Sequence, residues 1–297
     1  MRTILWFAGV LLGTLVLAAV LAYPVWLLAH AIEPTWTFPR VAGRFWQLLM
    51  IGGVVLALRR LRLTTREDWG WGQPRARFLR HFAVGLAIGL ATMLPMSLAM
   101  LALGIHVPDA GLDAAAILRL VVAGAGVGLA VAVSEETFFR GLMYRGALRD
   151  SGPAVAIAGT ALFYALIHFL GRARVGDADI GWVSGFEVLG AALARFADPA
   201  TIAGSLTTLL LVGVLLGLVR HRTGGVAAGI GLHMGWVCVI KATRWSTTPA
   251  GDAHWSFLVS GFDGYTGWLV AGWAAVMLLA GLALGWLRPS GISDARG

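Results

Sequence analysis

Five ionisable side chains stand in apolar surroundings that give no ordinary reason for them. The stretch from Val131 to Gly141 reads V-A-V-S-E-E-T-F-F-R-G and carries Glu135, Glu136 and Arg140. Farther along, Tyr164-Ala165-Leu166-Ile167-His168 ends in an imidazole, and Gly231-Leu232-His233-Met234-Gly235 sets a second one between glycines. Glu136 and Arg140 are four apart, in the favourable order for an ion pair on one helix face. Such pairing offsets much of the cost of burying both. Glu135 is turned about 100° from Glu136 and has no partner at that spacing. An unpaired carboxylate inside a membrane span is suited to proton transfer, or it must meet groups from other helices. His30, His81, His106, His221 and His254 fall at span ends or in loops and read as ordinary structural residues.

The elements that hold these residues follow from composition. Of the 297 residues, 58% are hydrophobic and only 13% are charged, and the mean hydropathy is +0.79. An ordinary soluble domain has about 25% charged residues, so this chain cannot coat a soluble surface, nor is it a disordered one. Apolar runs near 20 residues recur along the whole length. The fold class is therefore all-α: a polytopic membrane protein of about eight transmembrane helices. The expected spans are roughly 4–29, 42–58, 82–103, 117–143, 154–170, 203–219, 226–240 and 266–287. The first is too long for the apolar core of a signal peptide, about 7–15 residues, and reads as a retained helix. The 40 glycines suit close helix contact. The lone Cys238 excludes a disulfide framework and a cysteine zinc cluster.

The net charge of +8 and pI near 10.9 reflect membrane topology rather than nucleic acid, because the basic residues lie between the spans. With the N-terminus inside, 14 Lys and Arg fall on the cytoplasmic side and 8 outside, seven of the 14 in the 59–81 segment. The chain thus reads as a multi-pass plasma (inner) membrane protein with both termini cytoplasmic. It divides into N-terminal transmembrane helices over 1–116 with a basic cytoplasmic loop at 59–81, a catalytic helical core over 117–240, and a loop plus C-terminal transmembrane helix over 241–297. Residues 171–202 read as a loop that is interfacial or part of a lid. Residues 241–265, with Trp245, His254, Trp255, Phe257 and Tyr265, read as an aromatic interfacial anchor. No internal repeat supports a transporter built from inverted halves.

Geometry predicts that the unusual residues meet. Glu135 and His168 are 33 residues apart, with their midpoint between Ser151 and Gly152. The only turn-like stretch between them is Arg149-Asp150-Ser151-Gly152-Pro153, so an antiparallel pair folded there brings both to one depth. His233 lies on a third span, and Gly141, Gly229, Gly231 and Gly235 leave room for close approach. One carboxylate and two imidazoles should converge, with Glu135 and His168 the closest pair. Glu136 should be structural, tied to Arg140.

In these motifs the chain resembles the CAAX prenyl endopeptidase and bacteriocin-processing (CPBP) family of intramembrane proteases, which includes abortive-infection relatives. The family pattern is E-E-x-x-x-R, then F-x-x-x-H, then H-x-x-x-N. Glu135, Glu136 and Arg140 match the first in full. His168 matches the second, with Tyr164 in the aromatic place and Phe163 beside it. His233 matches the third, with Val237 where the family has Asn. The motifs span about a third of the chain.

The resemblance implies an eight-helix glutamate-type endopeptidase, once described as a metalloprotease, that hydrolyses a peptide bond in a membrane-associated protein or peptide. In that scheme Glu135 and His168 activate water and His233 stabilises the oxyanion. Glu136, Arg140, Tyr164 and Val237 support the site. Since Val237 cannot donate, a backbone N–H or the Trp236 indole would have to assist His233. No cofactor is expected; the alternative is zinc held by Glu135, His168 and His233, a known catalytic donor set. The expected partners are the peptide substrate and the lipid bilayer, with no nucleic acid. The alternative function is a non-proteolytic membrane scaffold or bacteriocin self-immunity protein on the same fold.

Val237 gives a direct test. A missing oxyanion donor typically lowers the rate by about 100–1000-fold. Val237→Asn is expected to raise peptide cleavage by purified protein, at matched folding; an active parent unchanged by the substitution would mean that another group fills the role.

Overall fold

The apolar runs become helices whose lengths are set by the bilayer they must cross. The computed structural model describes residues 1–170, 180–250 and 254–285. Its helices are α1 (Arg2–Ile32), α2 (Phe38–Leu61), α3 (Arg75–Ala102), α4 (Ala114–Glu135), a π-helix (Glu136–Met143), α5 (Tyr144–Ile167), α6 (Ser184–Leu193), α7 (Pro199–Thr223), α8 (Ala227–Ser246) and α9 (Trp268–Ala283). Five helical stretches are long and apolar enough to cross a membrane: α1, α2, α3, the continuous run Ala114–Ile167, and α7. The chain is a helical, multi-pass membrane protein. Each of the eight expected spans is helical over most of its described length, but the count of eight is not reproduced by length and hydropathy. The run Ala114–Ile167 joins two of them, and α9 has only 16 residues. Residues 286 and 287 of the eighth span, Arg288 and Arg296 lie outside the described residues, as do residues 171–179 with Arg172 and Arg174.

The turn expected at 149–153 is a break inside α5. Gly152 takes φ 78° and ψ 177°, outside the helical region, and Pro153 follows. A positive φ suits glycine, which has no Cβ to clash, and proline has no N–H for the preceding turn. The chain therefore reverses between the arm carrying Glu135 and the arm carrying His168.

Three readings are corrected. The expected loop 171–202 contains α6, whose Gly185 packs against the Ala19 carbonyl of α1 while Trp182, Val183 and Phe186 stay exposed. The segment 241–265 is not one anchoring loop. Helix α8 continues through Trp245, and strand β2 (Thr247–Pro249) pairs antiparallel with β1 (His106–Pro108). Tyr265 is fully buried, its hydroxyl 2.7 Å from Ser97 Oγ, so it packs the core instead of marking an interface.

Helix α8 lies between α3 and α4, and small residues set its depth. A Cβ on Gly85 or Gly89 of α3 would collide with the Ala228 or Leu232 carbonyl of α8; one on Gly231 would collide with the Phe82 carbonyl of α3. On the other flank, a Cβ on Gly128 of α4 would come within 2.8 Å of the Met234 carbonyl. Backbones approach this closely only where no side chain separates them. Two apolar clusters flank this sandwich. One joins Phe7, Phe139, Met143 and Tyr164, and the other joins Met93, Leu216, Trp236 and Tyr265.

Gly231→Ala should therefore push α8 off α3. Overpacking typically costs about 1–3 kcal/mol, more than the roughly 1 kcal/mol that alanine gains over glycine in a helix. Thermal unfolding in detergent should show a lowered midpoint for Gly231→Ala and none for Gly272→Ala, where a Cβ meets nothing within 4 Å.

Candidate active site

The site begins where helix geometry changes. Glu135 is the last α-helical residue of α4, and Glu136 opens eight residues of π-helix. π-Helical turns are uncommon and occur mostly at functional sites. This one is held from outside by three neighbours. The Trp71 indole donates to Thr137 Oγ1 at 3.0 Å, Arg220 Nε donates to the Arg140 carbonyl at 2.7 Å, and Gly141 lies against the Trp69 carbonyl with no room for a Cβ. The loop supplying Trp69 and Trp71 is itself fixed by Asp68, which accepts from the Thr65 N–H and hydroxyl and lies 3.7 Å from Arg145 Nε. Burial alone would push the Asp68 carboxyl up, but Thr65, Arg149 and Arg145 hold it below the usual carboxylate value.

Glu136 and Arg140 form the expected ion pair, at 3.1 Å and fully buried. Arg140 also donates to the Gly213 carbonyl at 3.3 Å and lies 4.6 Å over the Tyr164 ring. Glu136 does more than pair with Arg140. Its Oε1 is 3.0 Å from Nδ1 of His233, and a Cβ on Gly229 would come within 2.7 Å of its Oε2. The carboxylate reaches past Arg140 to α8 because Gly229 has no side chain in the way. Glu136 is thus a positioning group for His233, where the sequence marked it only as a structural partner.

Glu135, His168 and His233 come together. His168 Nε2 lies 3.9 Å from Glu135 Oε1, and His233 Nε2 lies 3.8 Å from Glu135 Oε2. The two imidazoles are equally near, so His168 is not the closer partner. His168 Nδ1 is 2.7 Å from the Tyr164 carbonyl, which only accepts, so Nδ1 carries the hydrogen there. His233 Nδ1 faces the Glu136 carboxylate in the same sense. In the neutral form of each ring the Nε2 lone pair is then directed at Glu135. Gaps of 3.8–3.9 Å are too long for a direct hydrogen bond, and a water about 2.8 Å from both groups would stand about 2 Å to the side of the line joining them. The sides differ in access: the side chains of Glu135 and His168 are 25% and 27% exposed, that of His233 only 6%.

Residues 117–239 match the Rce1-like family, type II CAAX prenyl endopeptidase Rce1-like. No curated protein and no solved structure matches the chain. The Rce1-like segment contains Glu135, Glu136, Arg140, Tyr164, His168, His233 and Val237. It is the description of a peptidase, and it joins α4, the π-helix, α5, α7 and α8 around one buried ion pair.

Two details of the site depart from expectation. The Trp236 indole donates to Thr92 Oγ1 on α3 at 3.0 Å, so it is not directed at Glu135. It is one position off the Gly229–His233 line and faces α3. Val237 does continue that line, one helical turn beyond His233, and is half-buried. Among the described residues, no group of three or more His, Cys, Asp or Glu side chains is placed to hold a metal ion. The residues that sequence reasoning missed are Trp71, Thr137 and Arg220, which brace the π-helix. Nothing in their spacing reveals contacts between segments about 66 to 80 residues apart.

Removing Arg140 would leave the buried Glu136 with only His233. Breaking a buried pair from one side typically costs about 3–5 kcal/mol. Arg140→Ala is expected to lose stability on that order by thermal unfolding in detergent, whereas Glu135→Gln, facing a water-sized gap, should melt close to the parent.

Proposed function

We propose that this protein is an intramembrane endopeptidase that hydrolyses a peptide bond in a membrane-associated protein or peptide. The observation that carries the reading is the Glu135 carboxylate set between two imidazole Nε2 atoms at 3.8 and 3.9 Å. A water between Glu135 Oε1 and His168 Nε2 donates one hydrogen to each, which leaves its lone pair free to attack a carbonyl. Glu135 takes the water proton as the C–O bond forms and returns it to the leaving nitrogen as the C–N bond breaks. General-base chemistry of this kind typically contributes about 10²–10⁴-fold.

His233 is the candidate oxyanion donor. With Nδ1–H committed to Glu136, its Nε2 donates only from the doubly protonated ring, whose charge then faces the Glu136 carboxylate at 3.0 Å. Tyr164 acts through its carbonyl, which orients His168. The Rce1-like match supports peptidase chemistry over a scaffold. We read water activation as metal-free, with the Glu135 carboxylate and the His168 imidazole acting directly on the water. The Lys and Arg distribution supports an orientation with both termini cytoplasmic.

The test is cleavage of a membrane peptide by purified protein in detergent, with metal content measured on the same sample. Glu135→Gln and His168→Ala should each lower cleavage by at least about 100-fold without changing the melting midpoint. Retained activity in Glu135→Gln would overturn the assignment. Stoichiometric zinc in the parent that is lost with Glu135→Gln would replace the metal-free scheme with a metal-dependent one.

A further inference from the structure

A groove whose lining includes none of Glu135, His168 and His233 carries no part of this chemistry. It has a volume of about 400 Å³ and runs between α3, α7, α8 and α9. Along α3 it extends from Arg80 to Thr92, 12 residues, or about 18 Å of helix. One leaflet of hydrocarbon is about 15 Å deep, half of a 30 Å core. Between those ends the walls are apolar, formed by residues such as Val84, Leu215, Leu232 and Met277.

The groove is charged at one end only. Arg80 begins it on α3, and Arg222 stands at the C-terminal end of α7, where the chain turns into α8. Both side chains are exposed, and neither makes an ion pair among the described residues. His81 lies beside them, its Nδ1 shielded from solvent and without a hydrogen-bond partner. Among the described residues, no acidic side chain lines the groove. A cleft one leaflet deep, apolar along its length and cationic at the headgroup level, complements one class of molecule.

We propose that this groove binds an anionic phospholipid, with an acyl chain against α8 and α9 and the phosphate between Arg80 and Arg222. A basic residue near a membrane surface is worth roughly fivefold in attraction for anionic lipid, so two of them give a preference of about 25-fold over a zwitterionic lipid of the same chains. The site does not depend on the peptidase reading. Its occupant would brace the face of α8 that lies behind His233, where Ala228, Leu232 and Trp236 line the groove.

The experiment supplies phosphatidylglycerol and phosphatidylcholine with identical chains, at equal concentration, to the full chain in mild detergent and counts bound lipids by native mass spectrometry. The parent should retain one phosphatidylglycerol in about 25-fold preference. The double variant Arg80→Ala/Arg222→Ala should bind both lipids equally, and Arg80→Lys/Arg222→Lys should keep the preference. Ala280→Trp, at an exposed position of the groove wall on α9, should lose the tightly held lipid whatever its headgroup. Both arginines are exposed, so the melting midpoint in lipid-free detergent checks that each variant is folded. No preference in the parent, or an undiminished one in the double alanine variant, would overturn the proposal.

Discussion

A carboxylate with no access to solvent, deep in a helical bundle, is tolerable only if its charge is paired. Glu136 is that group, and the architecture around it is largely the set of neighbours it requires. Arg140 answers its charge from the same helix, and His233 answers from α8. Arg140 is in turn held by the Gly213 carbonyl of α7 and the Tyr164 ring of α5. Four segments separated in sequence are thereby fixed to one another by a single desolvated pair. Glu135, next along the chain, gains its position from that arrangement while remaining open to the space where chemistry would take place.

The two glutamates show how adjacent residues acquire different work. Glu136 lies at the start of the π-helix and points into the packed interior, past Gly229. Glu135 closes the α-helical part and faces the two Nε2 atoms. Close packing of α8 against α3 and α4, through glycines on all three helices, brings His233 near enough to both. A side chain at any of those glycines would act on the site without touching it.

Much of this was legible in the sequence, for definite reasons. Charged residues in apolar runs are conspicuous, so Glu135, Glu136, Arg140, His168 and His233 stand out without any structure. A single Gly-Pro break equidistant from Glu135 and His168 fixed their relative depth. What the sequence hid was orientation about the helix axes. The π-helix at Glu136–Met143 leaves no periodic signature, so the reach of Glu136 to His233 was invisible. Trp236 and His233 are three residues apart and read as sharing a face, yet the indole reaches Thr92 on α3. Helix α6 was missed because its short apolar stretch lacks the length of a span. Contacts such as Arg220 with the Arg140 carbonyl join elements that only the folded bundle brings together.

The break at Gly152 has a mechanical side. Glu135 and His168 sit near the far ends of two helical arms that share one pivot. From Pro153 to His168 the arm is 15 residues, about 23 Å long. One degree of swing at the pivot moves its tip by about 0.4 Å, enough to turn a gap that holds a water into one that does not. Helices tilt by several degrees to match the thickness of the bilayer around them. The angle between the two arms at Gly152 therefore sets the opening between carboxylate and imidazole.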